Sequence, residues 1–489
     1  MSTRSHRAPT APSPSSVLPS SQRRSSPRIQ HRTCAARAND CMQSPQERRM
    51  SRSAAGLLLA VLLATAAPMV EAQQPDPLQE HWYHNWFTLT EDIMAWEEDF
   101  PDIVRVVSAG ETLYGRDQWV VQISDWSLTN KSDGTPKEQV YIDGGHHGNE
   151  HLGTELAFLT AEFYIEGWAA GDAEAVRVLQ STELHIMIML NADGNDADTR
   201  WNMNQVDLNR NYDHHWTEDE TASGDGPFSE PETANNAAYM SEWVADADLY
   251  VTMHTGTWIL AYPWGFTPQM PPDHELFTHI ADEVHANISA DLPVRNANAG
   301  IYPTHGTSRD YGYGVMGYPC FTFETDDEQF LLWTVQSLSD RLAVELEVMR
   351  YLIDNVWYWR ARLDVRSLEV RGEVVEVDVV NYGWASTANA SIHYSDSDGE
   401  LLWHSASFGV NASNDSQAFL DASNLTSVEG GTWSLHYQKR VIDAAVWVGE
   451  PIDGEVIDVG AKKSALLPAP SLLLSLIALF GAALTRREN

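Results

Sequence analysis

Four short runs along the chain are apolar at nearly consecutive positions rather than alternate ones: Val140–Asp143, Leu184–Leu190, Leu249–Met253 and Pro319–Phe323. A strand buried on both faces reads this way, whereas a strand with one wet face alternates. Between these runs, Glu150–Trp168 and Glu232–Ala245 space their apolar residues as helices with a buried side do. Strands and helices in alternation predict an α/β domain over residues 75–362, its sheet largely parallel and covered by helices. Beyond Arg362 the pattern changes to short alternating runs, Val374–Val380, Ser391–Tyr394 and Trp433–Tyr437, separated by Gly, Asn, Asp and Ser. That spacing predicts a small all-β sandwich domain over residues 366–458. Asn389, Asn411, Asn414 and Asn424 each head an N-x-[ST] triplet in this part, a pattern that suits a glycosylated outer surface.

Neither end of the chain reads as part of a core. Residues 1–49 are rich in Ser, Pro and Arg without apolar periodicity, and are expected to be a disordered, non-native extension. Met50 then opens a basic start, an apolar run from Ala54 to Ala67 and a small residue at Ala72, so residues 50–72 are expected to be a signal peptide. Leu466–Leu484 is mostly apolar and is followed by Arg486 and Arg487. Residues 464–489 are therefore expected to be a transmembrane or sorting segment that holds the folded part outside the membrane.

Charge narrows the function classes. The 489 residues carry 31 Lys and Arg against 69 Asp and Glu, a formal net charge of −38. Phosphates would be repelled, which excludes a nucleic-acid partner recruited by bulk charge, and so acidic a surface suits saline surroundings. With Cys34 and Cys41 in the extension, Cys320 stands alone, and a disulfide framework is excluded.

Candidate chemistry gathers where the predicted strands end. GGHHGNEHLGTE (144–155) follows the first run, and His147 and Glu150 lie across a strand-to-helix turn where imidazole and carboxylate can converge. His254 follows the strand 248–253. Two histidines and a carboxylate at the carboxyl ends of parallel strands would make an open three-ligand site for Zn²⁺, one per chain, with a position left for water.

Four further segments carry a family resemblance: AWEEDFPDIVRVVSAGETLYGRDQWVVQIS (95–124), DTRWNMNQVDLNRNY (198–212), HTGTWILAYPWG (254–265) and IYPTHGTSRDYGYGVMGYPCFTFET (301–325). With them the chain resembles the zinc metallocarboxypeptidases of the carboxypeptidase A family, from about Ala95 through Glu324 and the helix after it. The resemblance implies a mixed, mostly parallel sheet with helices on both faces, and zinc held by His147, Glu150 and His254. His146 competes as a ligand, but only His147 has a glutamate three residues on, so His146 and His151 are read as rim or packing residues. By the same resemblance Asp207 holds the first zinc histidine, and Arg210 with Asn209 clamps the terminal carboxylate of a peptide. Tyr302 closes over the terminal residue, Arg200 polarises the scissile carbonyl, and Glu324 is the general base.

By the same resemblance, Arg309 is expected at the floor of the pocket for the C-terminal side chain. A buried arginine without a partner would favour acidic ends, and pairing with Asp310 is the alternative. The expected protein is a secreted or surface-anchored zinc metallocarboxypeptidase acting on peptide or protein C-termini, touching a membrane only through its C-terminal segment. Two other readings stay open: a zinc peptidase of cell-wall or isopeptide substrates, and a catalytically inactive surface-binding protein.

Overall fold

The computed structural model describes residues 83–325, 338–425, 430–452 and 457–458. The expected N-terminal extension, signal peptide and C-terminal apolar segment lie outside them. The apolar runs pair into one mixed sheet of β1 (Val104–Glu111), β2 (Asp117–Ile123), β3 (Glu138–Gly144), β4 (Thr182–Met187), β5 (Leu249–His254), β6 (Trp258–Tyr262), β7 (Val294–Asn296) and β8 (Cys320–Thr325). Their order is β1-β2-β4-β3-β5-β8-β6-β7. The central strands β4, β3, β5 and β8 are parallel, whereas β1, β2 and β6 add antiparallel pairs. Every residue of β5 is buried, which is why its sequence is apolar without alternation.

The run Leu184–Leu190 predicts a longer strand than the structure forms. β4 stops at Met187, although Ile188, Met189 and Leu190 stay buried. The Leu190 amide donates to the Gly144 carbonyl and the Asn191 amide to Gly145, so the chain turns over the end of β3 instead of extending the ladder. Apolar character at these three positions reflects burial alone.

Helices cover both faces of the sheet: α1 (Trp86–Asp99), α2 (His151–Ala170), α3 (Ala173–Ser181), α4 (Pro231–Trp243), α5 (His274–Asn287), α6 (Ser308–Gly314) and α7 (Ala343–Asp354). Gly153 lets the first turn of α2 lie against the end of β5, since a Cβ there would come within 2.9 Å of the His254 backbone nitrogen. Tyr141 and Asp143, at alternate positions of β3, both turn to α4, where Asn236 bonds to each.

After Arg362 the chain forms β9 (Leu363–Arg371), β10 (Val374–Asn381), β11 (Thr387–Ser395), β12 (Leu401–His404), β13 (Phe408–Val410), β14 (Asp415–Asp421), β15 (Thr432–Gln438), β16 (Trp447–Pro451) and β17 (Ile457–Asp458). They build two sheets, β14-β10-β9-β17 and β12-β11-β15-β16, with β13 beside β11. Val375, Val377 and Val379 alternate inward and share a core with Ile392, Leu435 and Tyr437 of the other sheet. This is the sandwich the alternation predicts, except that β9 begins at Leu363, before the turn signals place it.

An ion cluster, buried at Glu155 and open at Asp92, ties α1 to α2. The His84 imidazole sits between Glu155 (2.8 Å) and Asp92 (3.1 Å), and its backbone amide also donates to Glu155. Burial alone would push this imidazole down, but Glu155 and Asp92 outweigh it and raise it to about 9. Because the folded value lies above the unfolded one, this contribution to stability is complete below about pH 6.5 and disappears as pH rises through about 9. Between pH 6.5 and 9.5 the thermal midpoint of the native protein is expected to fall further than that of a His84→Gln variant. Parallel pH profiles would remove the cluster from this role.

Candidate active site

The ends of β3 and β5 lie side by side, with Gly144 in register with Met253, and each strand delivers a histidine just beyond that point. His147 follows β3 in the turn, Glu150 is the residue preceding α2, and His254 is the last residue of β5. All three are buried, and their ligand atoms lie within 4.8 Å of one another. One Glu150 oxygen is 2.7 Å from His147 Nδ1, the other is 2.9 Å from His254 Nδ1, and the two Nδ1 atoms are 3.2 Å apart. Burial alone would raise the Glu150 carboxyl, but His147 and His254 hold it well below the ordinary range. Two imidazoles and a carboxylate converging through Nδ1 and oxygen are a donor set that fits a divalent ion such as zinc.

The outward nitrogens are held by a short turn, Leu208–Arg210, and the residue before it. Asp207 Oδ1 meets His147 Nε2 at 2.9 Å, and Asn209 Nδ2 lies 3.2 Å from His254 Nε2. A carboxylate behind a ligating imidazole fixes its tautomer and raises its basicity. Despite burial, His147, Arg210 and Arg200 together keep Asp207 well below the usual carboxylate range.

Glu324 lies in β8, directly in register with His254 on β5. No hydrogen bond among the described residues occupies its carboxylate, and burial together with Glu150 pushes its pKa up. His147, Glu150, Arg200, Arg210, Arg309 and Glu324 all line one cavity of about 310 Å³. Arg200 stands at its edge, donating twice to Asp207 Oδ2 (3.0 and 2.9 Å) and once to Glu150 (3.2 Å). Arg210 donates to the Asn209 carbonyl, and Tyr302, half exposed at the mouth, receives it at 3.4 Å. Asn209, expected beside Arg210 in the clamp, also lines the cavity, but its amide is engaged by the Ser308 backbone and by His254.

Two readings left open by the sequence resolve here. Arg309 is buried at the cavity wall but not unpaired: Nε donates to Asp310 at 3.1 Å and Nη1 to Thr322 at 2.9 Å. Asp310 is shared, because it also accepts the backbone amides of Gly265 and Phe266. Of rim and packing, His146 takes packing: it is fully buried, its ring 5.5 Å from that of His254 and its Nε2 2.8 Å from the Tyr212 hydroxyl. His151 is buried too, against Asp198 and Asn195.

Behind His146 runs a polar network that motif spacing did not reveal. Asn236 donates to Tyr212 and to Asp143, and Tyr250 donates to Asp143 at 2.7 Å. Burial raises the Asp143 carboxyl to about 6. The available signal was an aspartate inside an otherwise apolar strand, a position that demands buried partners.

A family model described as zinc carboxypeptidase matches residues 89–341. Carboxypeptidase B of Astacus astacus is 25% identical over 277 residues, which are 50% of this chain and 86% of that protein. Carboxypeptidase SOL1 of Arabidopsis thaliana is 29% identical over 242 residues, 47% of each chain. The structure of bovine thrombin-activatable fibrinolysis inhibitor aligns at 22% identity with a TM-score of 0.48, covering 56% of this chain and 97% of that one.

Asp207→Asn is expected to weaken metal affinity by about 10- to 100-fold, measured by competition with a chelator. Unchanged affinity would show that Asp207 does not support the metal ligand.

Proposed function

Given that the chain belongs to the zinc carboxypeptidase family, and so is a zinc metallocarboxypeptidase acting on peptide C-termini, we propose a division of labour among its own residues. His147, Glu150 and His254 hold the zinc. When bound, zinc supplies a Lewis acid and brings the pKa of water from about 16 to near 7. Glu324 takes the proton of the attacking water and passes it to the amine that leaves as the peptide bond breaks. The pairing of Glu324 with His254 on adjacent parallel strands carries this reading, because it sets an unengaged carboxylate beside the ligand cluster.

Arg210 receives the terminal carboxylate of the peptide, for which a guanidinium offers paired donors. Tyr302 covers the terminal residue from the mouth of the cavity. Arg200, on the edge beside Glu150, supports the carbonyl oxygen as negative charge develops on it. Its two bonds to Asp207 keep the side chain in place without using all its donors.

The finer reading concerns the pocket. Arg309 and the hydroxyls of Thr307 and Thr322 give its floor hydrogen-bonding character, and Asp310 divides its charge among Arg309 and two backbone amides. A polar, cationic floor favours release of C-terminal Glu or Asp over Leu, since an apolar end would add no partner to the donors of Arg309. The sequence ends support export and display outside a membrane, with a catalytic domain over 75–362 and a sandwich domain over 366–458. Among the described residues no helix is long and apolar enough to cross a membrane.

Glu324→Gln is expected to retain one zinc per chain and to lose about 10²- to 10⁴-fold in kcat. Near-normal turnover would remove Glu324 as the base. With matched peptides ending in Glu, Leu and Lys, the highest kcat/KM is expected for Glu; preference for Leu or Lys would overturn the acidic reading.

A further inference from the structure

The pocket-floor helix α6 is held at both ends, by different parts of the molecule. At its near end, the Ser308 amide donates to Asn209 Oδ1 at 3.0 Å, and Arg309 follows at the cavity wall. At its far end, the Tyr313 hydroxyl donates to Asp273 Oδ2 at 2.7 Å and accepts the Asp273 amide at 3.0 Å. The same Asp273 carboxylate accepts the backbone amides of Val441 (2.7 Å) and Ile442 (3.1 Å). Those two residues belong to the connection between β15 and β16 of the sandwich.

This connection is embedded in the α/β part. Ile442 and Ala445 are buried in the core of the α/β sheet rather than that of the sandwich. Arg440, fully buried, donates to the Gly317 carbonyl at 2.7 Å, in the turn between α6 and β8. Gly317 has φ +79, and a Cβ there would stand 2.7 Å from the Ala444 carbonyl oxygen, so the turn and the connection fit only without a side chain. Lys439, also buried, donates to Asp248 at 3.0 Å, immediately before β5. Cations buried in this way are tolerated only while their partners stay in place, so the contact is not one that opens and closes freely.

We propose that the sandwich is a positioning element of the substrate pocket: through its 439–445 connection it fixes the far end of α6, and so sets Arg309 and the pocket floor. A helix of seven residues spans only about 10 Å, so a shift at Tyr313 is carried to Arg309 without a flexible joint between them. This rests on the reading that the pocket floor selects the C-terminal side chain.

The test uses the full chain carrying Tyr313→Phe or Asp273→Asn, with kcat and KM for matched peptides ending in Glu, Leu and Lys. Backbone hydrogen exchange over 308–314 and zinc content are measured on the same samples. The expected result is a loss of threefold or more in discrimination between the best and worst peptide, expressed in KM. Zinc content and kcat on the best peptide stay within twofold, and exchange over 308–314 is faster. Discrimination changed less than threefold, or an equal loss in kcat on all three peptides, would overturn the proposal. If Asp273→Asn does not fold, Tyr313→Phe alone decides. A native protein that cleaves none of the peptides removes the functional reading and this inference with it; native discrimination matched by the variants removes this inference alone.

Discussion

A carboxylate placed between two imidazoles, all buried, is the constraint around which the rest of the structure is arranged. Glu150 touches His147 and His254 through different oxygens, and all three side chains are buried. Such a group is stable only if the remaining nitrogens are satisfied and a cation balances the carboxylate. Asp207 and the short turn after it answer the first need, and the divalent ion of the family answers the second. The parallel register of β3, β5 and β8 is what brings residues more than a hundred positions apart to the same end of the sheet.

That register also separates the tasks. His147, Glu150 and His254 lie at the carboxyl ends of β3 and β5, Glu324 on β8 beside them, and Arg210, Tyr302 and Arg309 come from loops and a short helix around the same cavity. The sheet is rigid where the ion must be held, and the loops are free to differ where a substrate must be read. Behind the ligands, the Asp143, Asn236 and Tyr212 network occupies space that an apolar core would otherwise fill, and it keeps His146 bound to Tyr212.

Much of this was legible in the sequence because it is local. Continuous apolar runs identify the buried strands, and the spacing of His147 and Glu150 identifies a turn that can present both. Once the resemblance is recognised, it points to Glu324 as the expected base. What was not legible depends on contacts between distant segments. Nothing near Arg309 reveals that Asp310 is shared with the amides of Gly265 and Phe266. Nothing near Asn209 reveals that Ser308 takes its amide oxygen. The alternation at Trp433–Tyr437 predicts a strand, yet not that the connection after it would bury Arg440 and Lys439 against the α/β part.

The most direct test of the ligand cluster is X-ray absorption at the zinc edge on the purified full chain, together with metal stoichiometry. The account predicts one zinc per chain whose shell holds two imidazoles and carboxylate oxygen, with ligand distances of about 2.0–2.2 Å. A shell containing sulfur at about 2.3 Å, or no zinc bound in stoichiometric amount, would contradict it.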